Sequence, residues 1–400
     1  AYAAKTLKNS YNIPIVATIH ATEAGRNSGI HDETQRYIND TEWMLTYEAS
    51  EVIVNSNYMK NELQRLFGLP YEKINVIPNG VNLNLFNGIE RDYNFRRQFA
   101  MDNEKIILFM GRLVYEKGIQ HLIAAMPKIL EGYHDTKLVI AGKGGMLDEL
   151  KAQVDYLGIS EKVCFAGYMK GKDVQKMYKA ADISVFPSTY EPFGIVALEA
   201  MLSENPVVVS DIGGLNEIVQ HRENGMKTYC GNPNSIADSI LELLYDHKLC
   251  AEITKKAKNK VRNEYNWSKI SQDTHFAYQK AICQSMAEKQ KRELEQERAR
   301  ANKAENELNA YRLKDETIRQ ASQRGISLGY IETIDFSRET AESINSKLDI
   351  FEKVSKADRE KAINEYSKEP APQTGDSIEG SKPESQMTYE ELCKLSKYKN

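Results

Sequence analysis

One stretch decides the fold: STYEPFGIVALEA, residues 188–200. It continues the apolar run ISVFPS, turns at Pro-Phe-Gly and enters an apolar helix that begins near Ile195. Glu199 is the only charge in IVALEAML, and Glu191 stands eight residues before it. A buried strand followed by a tight turn and a helix is the repeating unit of parallel α/β sheets, which bind ligands at the carboxyl ends of their strands.

The two carboxylates of this stretch have different expected surroundings. Glu191 is expected at the rim of a pocket, where the free amides of the helix's first turn attract anions. Glu199 lies one to two turns into the helix, and a buried carboxylate needs a partner to offset its desolvation. The hydroxyl groups of a ribose would supply one. The alternative is that Glu199 points to solvent.

The pattern around this stretch predicts a doubly wound parallel sheet. Continuous Val/Ile/Leu/Phe runs without polar alternation are typical of strands that are covered on both faces, and here they alternate with amphipathic segments. The predicted strands are residues 13–19, 51–56, 74–78, 105–111, 137–142, 162–167, 183–188 and 206–210.

A second loop, GRLVYEKG at residues 111–118, directly follows the strand KIILFM. It carries Arg112 and Lys117 between Gly111 and Gly118, and two cations at the end of a strand suit a diphosphate. An ordinary solvated loop is the alternative. His20 ends the first predicted strand, where it either bonds a polar ligand or is structural.

Composition excludes several classes of function. The 400 residues carry a net charge of −4, which gives no case for nucleic acid as a partner. No apolar run is long enough to cross a bilayer, and five scattered cysteines without a Cys-x-x-Cys pattern indicate reduced thiols. No Asp-x-Asp pattern and no His/Cys/Asp cluster with metal spacing occurs. We therefore expect a cytoplasmic protein without a metal site, with peripheral membrane association as an alternative.

Four motifs together resemble the retaining glycosyltransferases of the group 1 type, called family 4. They are GRLVYEKG (111–118), GYM (167–169), EPFGIVALEA (191–200) and GG-x-x-E (213–217). The resemblance covers about residues 10–284. It implies a GT-B fold and transfer of a hexose from a nucleotide diphosphate sugar to a hydroxyl of a glycan or another acceptor, without a cofactor. HATEAGR (20–26) is similar to the corresponding segment of α-glucan synthases, which favours glucose on a UDP or ADP donor.

The resemblance also implies roles for individual residues. Arg112 and Lys117 would hold the diphosphate, Glu199 the ribose, and Glu191 the transferred sugar, with His20 across the cleft. Glu191, Lys117, Arg112 and His20 are the catalytic candidates. The other donor-binding candidates act through backbone groups and close approach: Gly111, Tyr168, Met169, Phe193, Gly194 and Ile195.

The predicted organisation has five segments. They are a partial acceptor-side domain (1–80), a nucleotide-sugar domain (81–267), a helix returning to the first domain (268–285), a charged helical extension (286–366) and a mostly disordered tail (367–400). The first domain starts late and lacks the family's glycine-rich loop, so we expect a fragment. Ala287, Leu294, Ala301 and Leu308 repeat every seven residues, which indicates a weak coiled coil and makes 286–320 the candidate for self-association.

The region from 307–337 through 387–392 resembles the C-terminal part of phage capsid scaffolding proteins. An unrelated helical extension is the bland alternative. The competing function is therefore a truncated or chimeric non-catalytic protein whose helical region acts in assembly.

Overall fold

The computed structural model describes residues 1–368, which form two compact units, residues 1–291 and residues from Arg292 onward. Within the described part, the strands belong to two parallel sheets of the first unit. The strands are β1 (Val16–Ile19), β2 (Glu51–Val54), β3 (Ile74–Val76), β4 (Lys105–Met110), β5 (Thr136–Ala141), β6 (Val163–Gly167), β7 (Ile183–Phe186), β8 (Val207–Ser210) and β9 (Met226–Thr228).

The smaller sheet has three strands in the order β1-β2-β3. Its helices are α1 (Tyr2–Tyr11), α2 (Glu23–Arg26), α3 (Glu33–Glu48) and α4 (Asn57–Phe67). Helix α4 starts where it does because the Ser56 hydroxyl accepts a bond from the Met59 amide, and it ends at Gly68 in a left-handed conformation. Met59 and Leu63 of α4 pack on the sheet with Val52 and Val54 of β2.

The larger sheet has six strands in the order β6-β5-β4-β7-β8-β9. This is the doubly wound order of a dinucleotide-binding fold. In that fold the strands are added first toward one edge of the sheet and then toward the other, and the order reverses between the first and fourth strands. Here that switch point lies between β4 and β7. The helices of this domain are α5 (Tyr93–Arg96), α6 (Ile119–Gly132), α7 (Leu147–Tyr156), α8 (Lys172–Ala180), α9 (Ile195–Leu202), α10 (Gly213–Ile218), α11 (Pro233–Tyr245) and α12 (His247–Glu264).

Both faces of the larger sheet are covered, as the continuous apolar strands predict. Successive side chains of a strand point to opposite faces. Accordingly, Ile106 and Leu108 of β4 belong to one core, whereas Ile107 and Phe109 belong to the other. Because each core also contains residues of several helices, the strand ends are held rigidly under the loops that follow them.

The long helix α13 (Trp267–Arg324) follows α12. In the first unit its residues Ile270 and Ala277 pack with Ile53 and Ile77 on the second face of the smaller sheet. The helix continues through the predicted segment boundary at 285/286, because no glycine or proline interrupts it there.

The second unit has its own small core. It combines the end of α13 with α14 (Leu328–Ile331) and α15 (Ala341–Tyr366), through buried residues that include Ala321, Phe336 and Leu348. A coiled coil needs a second helix packed along the heptad positions from Ala287 to Leu308. Residues 1–368 contain no described helix in that place, so the predicted coiled coil stays a prediction. The predicted disordered tail lies outside the described residues, except for its first two positions.

Two differences from the predicted elements concern the sheet edge. Strand β9 was not predicted, because only three residues form it and one is a lysine. The stretch DIGGLNEIV (211–219) predicts a Gly-Gly turn after the strand of residues 206–210, but in the structure Gly213–Ile218 form α10. No helix in residues 1–368 combines the length and apolarity required to cross a bilayer.

Candidate active site

A cavity of about 300 Å³ lies at the switch point of the larger sheet. The loops after β4 and β7 form one side of it, which we call the first wall: Arg112, Glu116, Lys117 and residues 190–195. The loops after β1 and β2 form the opposite side, the second wall: His20, Ala21, Arg26 and Asn55. Asn79, from the connection between the two sheets, also lines the cavity.

The loop after β4 is held against the loop after β7 by close backbone contacts. Lys117 closes a short 3₁₀ turn, and Gly118 follows it with φ 67° as the N-cap of α6. A Cβ at Gly118 would collide with the carbonyl oxygen of Pro187, so only glycine allows this approach. The amide of Thr189 donates to the carbonyl oxygen of Glu116 over 2.8 Å. Lys117 and Glu191 are therefore fixed beside each other.

The cations of the first wall are paired with carboxylates that also line the cavity. Lys117 Nζ lies 2.6 Å from Glu191 Oε2, and their side chains are only 19% and 11% exposed. Arg112 Nη2 lies 3.3 Å from Glu116 Oε1, but the Arg112 side chain is 66% exposed. The four charges sum to zero. An incoming diphosphate would meet two cations whose present partners stand in the same pocket.

The first turn of α9 completes the first wall. Gly194, with φ 109°, is the N-cap, and Phe193, Gly194 and Ile195 line the cavity. The amide of Gly214 in α10 donates to the carbonyl oxygen of Glu191 over 2.8 Å. Glu191 and the start of α9 therefore lie side by side in the cavity lining, but Glu191 is buried there and not exposed at a rim.

Glu199 is largely buried, but it does not line this cavity. It lies four residues after Ile195 and hence one turn further along the same face of α9. The Tyr178 hydroxyl is 3.4 Å from Glu199 Oε2 and 3.3 Å from the carbonyl oxygen of Val196, so one proton serves two acceptors. Desolvation raises the pKa of Glu199, and the Tyr178 bond only partly opposes it. The carboxylate thus keeps capacity for further donors.

Three of the predicted donor-binding residues lie on neighbouring loops outside the cavity lining. Gly111 follows β4, and Tyr168 and Met169 follow β6. The Tyr168 ring is 66% exposed, with the ammonium group of Lys143 5.1 Å from its centroid. The structure places these residues at the same strand-end edge of the sheet as the cavity, beyond its first wall.

The second wall contains residues that the sequence did not single out. Asn55 follows β2 directly, and its amide group donates to the carbonyl oxygen of His20 over 3.2 Å. Arg26 donates to Glu23 over 2.7 Å and lies 3.5 Å from Glu42. A polar residue after a buried strand, such as Asn55, was a usable signal. Arg26 and Asn79 had no local signal, because their place in the cavity depends on the packing of the two sheets.

Among residues 1–368, no group of three or more His, Cys, Asp or Glu side chains is placed to hold a metal ion. The four cysteines of this part, Cys164, Cys230, Cys250 and Cys283, are free thiols.

A doubly wound sheet whose switch-point pocket carries two cations and faces a second parallel sheet defines the class of GT-B transferases. Two family comparisons agree. The family described as glycosyl transferases group 1 matches residues 90–260, and Glycosyltransferase Family 4 matches residues 1–85.

Relatives of known sequence support the same class. An uncharacterized glycosyltransferase of Methanocaldococcus jannaschii is 44% identical over 287 residues, 70% of this chain and 73% of the relative. Glycogen synthase of Mycobacterium tuberculosis is 32% identical over 279 residues, 70% of this chain and 66% of the relative. Both relatives therefore extend beyond the part that the chain matches.

Solved structures share the fold. Anabaena HepE, in complex with UDP and glucose, superposes with a TM-score of 0.61 at 25% identity, covering 68% of this chain and 73% of that one. Sucrose-phosphate synthase of Thermosynechococcus elongatus gives 0.61 at 26%, covering 70% and 71%. The chain belongs to the group 1 glycosyltransferases of family 4, and the predicted family and GT-B fold are confirmed.

Proposed function

We propose that this chain transfers a hexose, with glucose favoured, from a nucleotide diphosphate sugar to a hydroxyl acceptor with retention of configuration. The observation that carries the proposal is the Lys117–Glu191 pair beside the first turn of α9 at the switch point. Cations and helix amides suit a diphosphate, and a carboxylate next to them suits the sugar that it carries. The UDP and UDP-glucose in the HepE structures support a UDP donor, and an ADP donor is the alternative.

The proposed chemistry is departure of the diphosphate. As the bond between the anomeric carbon and the diphosphate oxygen breaks, negative charge collects on the leaving group and positive charge on the sugar. Lys117, Arg112 and the amides of residues 193–195 stabilise the first charge, and the Glu191 carboxylate lies close to the second. The acceptor hydroxyl enters from the face that the diphosphate leaves, and its proton passes to the departing phosphate.

We also propose that this neutralisation uses no metal or other cofactor. The proposal rests on the cations of the first wall and on a sequence without an Asp-x-Asp pattern. The acceptor is a hydroxyl of a glycan or of another molecule, bound on the side of His20.

Ligand-dependent melting of the full chain tests the donor proposal. UDP, ADP, GDP and their glucose conjugates are added in turn, and a ligand at 100 times its Kd stabilises the folded protein by about 2.7 kcal/mol. We expect one nucleotide to raise the Tm, and Lys117→Ala to abolish the rise. Lys128→Ala, outside the cavity lining in α6 and paired with Asp238 of α11, should keep it. A Tm unchanged by every nucleotide would contradict the proposal.

We also propose that the chain self-associates through residues 286–320, as the predicted coiled coil and the expected scaffold-like role of the C-terminal region would require. Leu294 and Leu308, two of the seven-residue repeat positions, are 49% and 50% exposed on α13. Exposed leucines at this spacing suit a helix of a second copy. Sedimentation of the full chain should give an oligomer that Leu294→Glu with Leu308→Glu dissociates and Gln296→Glu does not. A monomeric wild type would refute this role.

A further inference from the structure

A buried carboxylate outside the cavity links its two walls. Glu62 of α4 is 5% exposed, and within residues 1–368 no basic side chain pairs with it at 4.0 Å or less. It accepts the Thr22 hydroxyl at 2.5 Å and the Tyr190 hydroxyl at 3.0 Å, both on the same oxygen, Oε1. A buried carboxylate without a cation is costly unless such bonds satisfy it. These contacts are therefore strongly held.

The two hydroxyl groups bonded to Glu62 Oε1 come from the two sides of the cavity, and the Tyr58 hydroxyl of α4 itself also lies close to the carboxylate. Thr22 lies two residues after His20, and its hydroxyl caps α2 by accepting the Gly25 amide at 2.9 Å. Tyr190 directly precedes Glu191 in the first wall. Desolvation, followed by the charge of Glu62, raises the pKa of Tyr190, so its hydroxyl stays protonated as a donor. One carboxylate thus fixes the backbone next to both predicted sugar-contacting residues.

The start of α4 holds the same loop at a second point. The Ser56 hydroxyl donates to the carbonyl oxygen of Pro192 over 2.6 Å. The carboxylate of Glu217, the last residue of the GG-x-x-E motif, accepts the backbone amides of Asn57 and Tyr58 at 3.0 and 2.8 Å. Helix α4 therefore contacts the loop of residues 190–193 directly, and it is itself tied to α10 behind that loop.

The other side of the loop is closed by the glycines of α10. A Cβ at Gly213 would collide with the carbonyl oxygen of Glu191, where φ 56° also disfavours other residues. The loop is consequently held between α10 and α4, and Glu62 is the buried carboxylate on the α4 side.

We propose that Glu62 is a positioning residue for sugar transfer, which holds Tyr190, and with it Glu191, against the loop that carries His20. The proposal rests on the function proposed above. Glu62 lies outside the cavity, so it acts through Tyr190 and Thr22 and does not touch the substrate.

The proposal predicts a split between turnover and donor binding. In Glu62→Ala, kcat should fall about 10- to 100-fold, since a misplacement of about 1 Å at the reacting groups costs this much. The KM for the sugar nucleotide should stay within about threefold, because Lys117 and Arg112 keep their places. Glu62→Gln should recover part of kcat, because its amide oxygen still accepts the hydroxyl protons, although as a neutral acceptor it holds them less strongly.

A double-mutant cycle distinguishes positioning from a general loss of stability. Tyr190→Phe removes the same bond from the other side with almost no change of shape. If Glu62 acts through Tyr190, the double variant Glu62→Gln with Tyr190→Phe should be no slower than the slower single variant. Glu223→Ala, which removes an exposed carboxylate just after α10, is the matched control and should leave kcat unchanged.

Hydrogen exchange of the backbone amides in residues 190–194 tests the Glu62–Tyr190 contact without measuring enzyme activity. We expect exchange about tenfold faster in Glu62→Gln and Tyr190→Phe than in wild type and Glu223→Ala. Unchanged exchange, or fully additive losses of kcat, would overturn the proposal. If wild type binds no sugar nucleotide, the proposed function fails, and the exchange experiment still decides whether Glu62 holds the loop.

Discussion

The two walls of the cavity hold their charges in different ways. In the first wall, Lys117 and Arg112 are paired with Glu191 and Glu116, which line the same cavity. In the second wall, Arg26 is bonded to Glu23 and Glu42, which lie outside the lining. In the first wall, a ligand phosphate inside the cavity can replace the carboxylate beside each cation. In the second wall, the carboxylates that bond Arg26 lie outside the cavity lining. On the proposed function, we therefore expect the ligand phosphates to bind at the first wall, and we expect the Arg26 cation of the second wall to support the fold.

The largest expected effect breaks the first wall. Lys117→Ala removes a largely buried cation beside the leaving group, so we expect kcat to fall by about 10²- to 10³-fold. Arg112→Ala should also lower turnover, but less, because the Arg112 side chain is mostly exposed and its charge is screened. Steady-state kinetics with Lys128→Ala as the surface control measures both. Near-normal turnover in Lys117→Ala would remove the assigned role.

A substitution of Glu191 tests the carboxylate of the Lys117–Glu191 pair separately from its lysine. Glu191→Gln should lower kcat by about 10²-fold, because the developing positive charge on the sugar loses its neighbour. Donor affinity should stay equal or increase, since Lys117 no longer shares its charge with a carboxylate. Calorimetry with UDP-glucose gives the affinity, and a weaker affinity would contradict the proposed exchange of partners.

Glu199, one turn below the first wall, should have a smaller effect. Glu199→Gln is expected to weaken UDP-glucose binding about 5- to 10-fold, because a neutral amide oxygen replaces the charged acceptor of the hydrogen bond. Because the pKa of Glu199 is raised, wild-type affinity should begin to fall, as the pH decreases from 7, at a higher pH than an ordinary glutamate would give. The variant should lack this part of the pH dependence. Identical pH profiles in wild type and variant would exclude the ribose contact.

The raised pKa of Glu199 also predicts how the free energy of unfolding changes with pH. The folded state binds the Glu199 proton more tightly than the unfolded state, so the free energy of unfolding decreases as the pH rises through the interval between the two pKa values. At pH 7 without ligand, Glu199→Gln should therefore have a higher Tm than wild type, and the difference should shrink in acid. Thermal denaturation at pH 7 and pH 4 checks this.

The smallest expected effect tests the second wall. Arg26→Gln removes a cation that is already bonded to two carboxylates, so donor affinity should change by no more than about threefold. A loss as large as that of Lys117→Ala would end the distinction between the walls. Calorimetry with UDP-glucose on both variants makes the comparison direct.

The first wall could be predicted from the sequence because its signals are local. Arg112, Lys117 and Glu191 lie in the loops that follow apolar runs, and in a parallel sheet such loops converge at one edge. Eight of the nine strands in residues 1–368 were predicted, and most of them have continuous apolar runs. The short edge strand β9 carries no such run.

The remaining parts depend on contacts between distant positions. The Tyr178 partner of Glu199 comes from another helix, 21 residues earlier, and nothing in its local pattern indicates it. Arg26 and Glu62 enter the account only once the two sheets are packed together. The Gly-Gly pair of α10 was predicted as a turn because glycine usually marks one, whereas here it lets a helix pack against the loop of residues 191–193.

The glycine at position 118 has a consequence for engineering the donor preference. Because Gly118 has no side chain, the loops after β4 and β7 can approach each other more closely than a Cβ would allow. Most substitutions at this position should therefore destabilise the fold, and a library randomised there would contain few folded variants to select from. Ile195, 42% exposed at the mouth of the cavity, offers room for diversity without that penalty. Directed evolution of this protein should thus keep Gly118 and place the varied positions at the start of α9.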